Sequence, residues 1–441
     1  MATDRYIAAL EISSSKVIGA VGVVGKSGQL EVLAVEQEKS TDSVRYGHIQ
    51  NIEETYNLIN FVLERLKRRP NIAPREITGV YVGLSGRSLK AIENDVSLTL
   101  PDDTEITDSI IERLKSKALE ADIDSSLEIV DAVPRIYTVG GTETHRPKGR
   151  MGNSISAVYN LIVARPDIQN KIRKVVVDKL GLEIMGTVIT PIAMGDIVLN
   201  EHDKKLGCML VDIGAETTSV TIYNSGNLVY YATLPLGGRN ITLDLKDLNV
   251  IEDKAEELKI TFGNAIAPAN PSQEMVGPHK MSKISNYVVA RTEEIVANIA
   301  EQVRFAGLTE KDLAEGIVLC GGGSRLHGIA DLIGKFTGLR VRMATYPSAI
   351  RMSDSNGQGL ESLQVSAIMY EGYRRGGDDC LKIPSEPEPE PEPYETPETP
   401  DERPSKPEKP KRKGGWISSL GRKMGEWFTP IGEDDEGDEL S

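Results

Sequence analysis

One pattern is written twice in this chain, and it constrains the fold more than any other feature. Strand, acidic residue, tight turn, strand, turn, strand runs through residues 6–10, 17–24 and 30–35, with Glu11 at the first turn and glycines at the second. It runs again through 207–213, 219–223 and 228–234, with Asp212 at the corresponding turn. Short runs of apolar and β-branched residues bounded by Gly, Ser and Asn specify strands that pair with their sequence neighbours. A meander repeated far along one chain predicts two similar lobes facing each other across a cleft.

Between and after the meanders the periodicity changes. Ile52, Tyr56, Ile59, Val62, Leu63 and Leu66 recur at helical spacing up to Pro70, and a strand follows at 80–84. Residues 85–163 read as an inserted α+β subdomain, with a helix over 108–121, strands near 127–133 and 155–163, and a polar loop at 140–152. Further helices are predicted over 167–180, 253–262 and 284–305. A strand at 316–320 runs into Gly321-Gly322-Gly323-Ser324, after which 325–336 reads as helix. The folded body is expected to end near Tyr373. Between Pro384 and Pro410 the chain carries ten of its 23 prolines, alternating with Glu. Such a segment forms neither helix, sheet nor core and predicts a disordered, self-repelling tether.

Beyond the tether, Trp416, Ile417, Leu420, Met424, Trp427 and Phe428 fall on one stripe of a helix, with Arg422, Ser418, Ser419 and Glu426 opposite. Both tryptophans and one of the five phenylalanines lie here. The stripe suits a helix lying on a membrane surface, with Lys409, Lys411, Arg412 and Lys413 drawn to anionic lipid; the alternative is a helix that docks on its own body or a partner. No apolar run approaches the about 18 residues of a spanning helix, and the first residues lack the pattern of a signal peptide, so a cytosolic chain is expected. The formal net charge is −15, with no clustered Lys/Arg in the body, which argues against nucleic-acid binding. Cys208, Cys320 and Cys380 lack metal-ligand spacing, Cys208 and Cys320 sit in apolar, strand-like runs and read as buried fillers, and the five histidines are scattered.

Three turns carry chemistry. Glu11, Ser13, Ser14, Ser15 and Lys16 form the first, where hydroxyls, backbone N–H groups and a lysine suit phosphate oxygens. Asp212, Gly214, Ala215, Glu216 and Thr217 form the second, where the Asp212 carboxylate suits Mg²⁺ held through water. Gly321, Gly322, Gly323 and Ser324 form the third, where glycines admit a ligand to the backbone. Any one of these alone is commonly just a hairpin or a cap.

Their order resembles the actin-like ATPase superfamily, and within it the FtsA family of bacterial cell-division proteins. The resemblance runs through 10–16, Val80-Tyr-Val-Gly-Leu-Ser-Gly86, 206–214, Leu236-Gly-Gly238 with Ile241-Thr242, 255–259 and 316–323. It implies a two-lobed actin-like (ribonuclease H-like) α/β fold. The lobes would be drawn from 1–84 and 164–206 for the first and 207–375 for the second, with the insert at 85–163, the linker at 376–414, a membrane-targeting helix at 415–429 and an acidic tail at 430–441. It also implies ATP with Mg²⁺ as ligand, with Gly238, Glu256 and Lys259 beside the nucleotide. The implied partners are the C-terminal peptide of the tubulin-like FtsZ, met by Arg291 and Glu294, further copies of the chain in filaments, other divisome proteins and an anionic membrane. The implied location is the cytoplasmic face of the inner membrane at the division site.

Two positions depart from the family. Ser13 stands where glycine is usual, and Ala215-Glu216 where Gly-Gly is frequent. Their side chains narrow access to the phosphates, so slow or absent ATP turnover is expected, and no catalytic residue can be named. Glu216 is expected to point outward, because an unpaired carboxylate beside the phosphates would be repelled. The rival readings on the same fold are a pilus-assembly scaffold, a DnaK-type chaperone ATPase and a sugar-kinase-like enzyme.

Overall fold

The strands Arg5–Ile12 and Lys16–Val24 are rich in Val, Ile and Ala and are buried at nearly every position, the mark of strands covered on both faces. The computed structural model describes residues 4–25, 28–267, 269–270, 272–353 and 359–384. The tether, the stripe from Trp416 to Phe428 and the acidic tail lie outside the described residues.

The two meanders become two sheets of like topology. In the first lobe, Leu30–Lys39, Lys16–Val24 and Arg5–Ile12 run antiparallel to one another, and Gly79–Leu84 and then Glu183–Ile189 extend the sheet in parallel. In the second, Asn227–Leu234, Thr218–Asn224 and Cys208–Ile213 form the meander, extended in parallel by Ile317–Cys320 and Val341–Met343. Glu11 and Asp212 occupy the same place, the last residue but one of the first strand. Helices cover the sheets with apolar faces, as in Ile52–Lys67, whose Ile59, Val62, Leu63 and Leu66 are buried and whose Asn51 caps the start through the Glu54 N–H.

The chain after the second sheet returns to the first lobe. Ile350–Met352 pairs in parallel with Leu30–Lys39, and the helix Leu363–Arg375 packs on Arg5–Ile12 and on the helix Thr190–Val198. The sequence reading that gave 207–375 wholly to the second lobe is thereby corrected. Helical periodicity fixes an apolar face but not the sheet that receives it. The body also continues past Tyr373: Cys380 is buried and Leu381–Lys382 pairs antiparallel with Glu76–Ile77.

The predicted helix over 325–336 is shorter than expected. Gly322–Arg325 is a 3₁₀ turn, Gly328 adopts φ +74°, and the helix proper is Ile329–Thr337. The cause is local, since the Ala265 N–H binds the His327 carbonyl and holds this stretch extended. The helix predicted over 167–180 is Pro166–Arg173 followed by a π-helical segment, Lys174–Lys179. In the insert, the strands Thr142–Thr144, Glu128–Val139, Met151–Ala164 and Lys90–Glu105 form one sheet, with the helix Asp108–Leu119 closing its own small core. The strand Lys90–Glu105 escaped the sequence reading, although Ile92, Val96, Leu98 and Leu100 alternate along it with exposed Glu93, Asp95, Ser97 and Thr99.

Candidate functional site

The two acidic turns meet where the lobes face each other. Glu11 is 1% exposed and is held within its own lobe: the Thr190 hydroxyl donates to Oε2 at 3.1 Å and the Ser85 hydroxyl to Oε1 at 3.4 Å. Burial pushes its carboxyl up to about 7, with Asp212 adding to the rise, while Thr190, Ser85 and Lys16 oppose it. Gly83 is required beside it, since a Cβ there would overlap Glu11 Oε2 and Ile368.

Asp212 is held differently. Its Oδ2 accepts from Gln364 Nε2 at 3.0 Å, a residue of the helix Leu363–Arg375 of the opposite lobe. Its Oδ1 is buried and has no hydrogen-bond partner. Burial raises the carboxyl, and Gln364 offsets part of the rise. A buried carboxylate oxygen without a donor is costly, and such groups mark places where an ion or ligand completes the site. Among the described residues no group of three or more His, Cys, Asp or Glu could cage a metal. The residues fit a magnesium ion that keeps most of its waters, held by Asp212 with Glu11 near, rather than an ion in an all-protein cage.

The glycine turn is fitted against this acid. Asp212 and Cys320 are register partners on adjacent parallel strands. Gly321 has φ +85°, and a Cβ there would overlap both Asp212 Oδ1 and the Ile213 carbonyl oxygen. Gly322 faces open space, whereas a Cβ on Gly323 would overlap Ile213 Cγ2. The Ser324 hydroxyl turns back to the Gly321 carbonyl at 2.7 Å. A Cβ built on Gly238 would stand 3.6 Å from Gly323 Cα and 3.6 Å from Lys259 Nζ. Lys259 in turn donates to the Gly238 carbonyl at 3.0 Å, Thr242 Oγ1 at 2.9 Å and Glu256 Oε2 at 2.7 Å. Burial lowers the Lys259 ammonium, and Glu256 offsets part of the fall. Asp212, Gly214, Gly238, Glu256, Lys259 and Gly321 to Gly323 thus lie around one place.

The remaining sequence candidates divide. Ser13 closes its own turn, with both its N–H and its hydroxyl on the Lys16 carbonyl at 3.0 and 2.8 Å. The Ser14 hydroxyl accepts from the Gly47 N–H at 3.3 Å, and Ser15 is exposed. Lys16 Nζ reaches Gln37 Oε1 at 3.2 Å and the Glu361 carbonyl at 3.3 Å; burial lowers its pKa, while Glu361 opposes the fall. Gly214 N–H binds the Thr217 carbonyl at 2.8 Å, and the Gly214 and Ala215 carbonyls accept the first N–H groups of the helix Gly238–Leu245.

Glu216 does not point outward as expected. It is 3% exposed, and Arg45 and Arg239 receive it, so the repulsion that argued for an outward carboxylate is replaced by two guanidinium groups. Arg291 and Glu294 lie apart from this place, on the helix Met281–Phe305. Arg291 Nε and Nη2 donate to Asp244 at 2.6 and 3.0 Å, and its Nη1 pairs with Glu294. These carboxylates hold the Arg291 pKa above its usual value against the pull of burial.

Ser85, Thr190, Gln364, Thr242, Arg45 and Arg239 escaped the reading of single residues. Ser85 and Thr242 stand inside segments that carried the family resemblance, and Thr190 precedes the proline that starts a helix. Nothing in the sequence singles out Gln364 or Arg45, which reach the second lobe only through the fold.

The family model for the cell division protein FtsA matches residues 209–357, and that for the SHS2 domain inserted in FtsA matches 86–163. Cell division protein FtsA of Porphyromonas gingivalis is 29% identical over 355 residues, covering 77% of this chain and 73% of its own length. That of Pseudomonas aeruginosa is 27% identical over 388 residues, covering 85% of this chain and 91% of its own. Among solved structures, the PilM–PilN type IV pilus biogenesis complex contains a chain with a TM-score of 0.59 and 17% identity, covering 84% of this chain and 98% of that one. The insert at the predicted place, the two like sheets and these matches agree: the fold is actin-like, and the chain belongs to the FtsA family of cell division proteins.

Proposed function

We propose that this chain binds ATP with Mg²⁺ between its lobes and uses the nucleotide-bound body to tie FtsZ filaments to the inner face of the cytoplasmic membrane at the division site. The observation that carries the nucleotide reading is the buried, partnerless Asp212 Oδ1 set against Gly321. In this reading Asp212 holds the hydrated ion, with Glu11 and Lys16 near it. Gly321 to Gly323 admit the nucleotide to the backbone, and Glu256 with Lys259 flanks its ribose and base. Bound Mg²⁺ would neutralise phosphate charge, and the protein's own part is to position and exclude water. No residue is assigned as a base that activates water, so ATP acts as a structural and assembly ligand with slow or no turnover.

The membrane contact is assigned to the stripe Trp416, Ile417, Leu420, Met424, Trp427 and Phe428, whose partial burial in lipid is worth several kcal/mol, at about 1.5–3 kcal/mol per fully buried side chain. The FtsZ tail peptide is assigned to the surface around Arg291 and Glu294, where an acidic peptide would compete with Asp244 for the guanidinium. Self-association into filaments and recruitment of other divisome proteins follow from the same body. Calorimetric titration with Mg-ATP tests the central assignment: wild type binds and Asp212→Asn binds at least tenfold more weakly. Equal binding by both, or by neither, overturns it. Sedimentation of the same proteins with anionic vesicles and FtsZ separates the nucleotide site from the anchor, since Trp416→Glu with Trp427→Glu abolishes vesicle binding and leaves ATP affinity unchanged.

A further inference from the structure

The buried carboxylate of Glu216 is fully used. Oε1 accepts from Arg45 Nε at 2.5 Å and Arg239 Nη1 at 3.0 Å, and Oε2 accepts from the Tyr46 backbone N–H at 2.6 Å. Arg45 and Tyr46 belong to the first lobe, in the short hairpin Val44–Arg45 and His48–Ile49; Glu216 and Arg239 belong to the second. Arg239 also crosses back, to the Thr41 carbonyl and to Asp42, both at 3.3 Å, while Glu252 takes its Nε at 2.6 Å. A buried carboxylate shared by two guanidinium groups and a backbone N–H is a strong, directional junction, unlike the exposed Lys39–Asp253 pair between the same lobes.

The junction is wired to the acidic turns on both sides. On the second lobe, the Arg239 N–H holds the Ala215 carbonyl at 2.7 Å, fixing the turn that starts at Gly214. On the first, Gly47 donates to Ser14, and a Cβ on Gly47 would overlap the Ser85 carbonyl, so the hairpin sits directly on the residues that hold Glu11. The lobes cannot part here without breaking the bonds from Arg45 and Tyr46 to Glu216 and those from Arg239 to Thr41 and Asp42. A glycine at position 216 could accept neither of the first two.

We propose that Glu216 is an interlobe latch that keeps the lobes together with or without a ligand and thereby slows exchange in the cleft. The exchange role rests on the nucleotide reading above; the mechanical role does not. Cys208, Cys320 and Cys380 are buried, so spin labels attach selectively at cysteines placed on the exposed positions Arg68 and Lys335, one on each lobe. In the full chain without nucleotide, electron–electron distance measurement gives one narrow distribution for the labelled parent and for Lys39→Gln. Glu216→Gly and Arg45→Gln each add a second, longer population. Arg45 is the more exposed partner, so Arg45→Gln carries the test if Glu216→Gly does not fold. Distributions for the variants that superimpose on the parent overturn the latch. In stopped flow, a fluorescent ATP analogue leaves Glu216→Gly at least tenfold faster than wild type. Equal release rates in a variant whose lobes separate overturn the exchange role. Separation of the lobes in proteins that bind no nucleotide at all leaves the latch standing and defeats the nucleotide reading instead.

Discussion

The two lobes carry the same five-strand arrangement and the same acid at the same place, yet they treat that acid in opposite ways. Glu11 is satisfied inside its own lobe by two hydroxyls, and its turn is closed by Ser13 on the Lys16 carbonyl. Asp212 is half satisfied, by a side chain from across the cleft, and its turn is closed by the N-terminus of a helix with Gly321 wedged against it. Topology fixed where the acids stand. The neighbours decide that one is a finished structural group and the other an incomplete one.

The largest effect should come from disturbing the incomplete side. Gly321→Ala combines a left-handed backbone with overlap against Asp212 and Ile213, and should cost about 3 kcal/mol or more in denaturant unfolding. Gly322→Ala, one residue on and facing open space, should stay within about 1 kcal/mol of wild type. Similar losses for both would mean that the turn is not fitted to the acid.

The finished side should respond to pH rather than to volume. Glu11 keeps its proton up to about 7 in the folded protein, against 4.5 for an ordinary glutamate. Between those values the native state binds a proton that the unfolded state has released, so stability falls as pH rises through this window, by about 3 kcal/mol in all. Glu11→Gln mimics the protonated form. Urea titrations without Mg²⁺ or nucleotide should show the variant losing that slope and exceeding wild type above pH 7. Parallel pH profiles would remove the distinction between the two acids. The smallest effect belongs to Ser13→Ala, which deletes one partly exposed hydrogen bond that closes the first turn and should cost about 1 kcal/mol or less.

The meanders, the insert and the three turns were legible because each is local: short apolar runs, glycine runs and acid-turn order are all read within a few residues. What was not legible depends on return paths. Nothing in Leu363–Arg375 says that its apolar face will cover the first sheet, and so nothing announces that Gln364 will bind Asp212. Glu216 was misread for the same reason. Taken with its sequence neighbours it is an unpaired charge; Arg239 reaches it through the fold of the second lobe, and Arg45 only when the lobes meet. Thr190 is an intermediate case, visible as a helix start but not as the hydroxyl that holds Glu11.

The stretch that ends the described body has a mechanical meaning. Tyr6 N–H binds Asp379, the Cys380 N–H binds the Tyr6 carbonyl, the Thr78 and Gly79 N–H groups bind the Cys380 carbonyl, and Leu381–Lys382 pairs with Glu76–Ile77. Tension applied to the chain beyond residue 384 therefore enters at this clasp, among strands of the first lobe, and has to peel these bonds before it reaches anything else. The second lobe stands away from that entry point, so load from the tail reaches the contact between the two acids only by way of the first lobe.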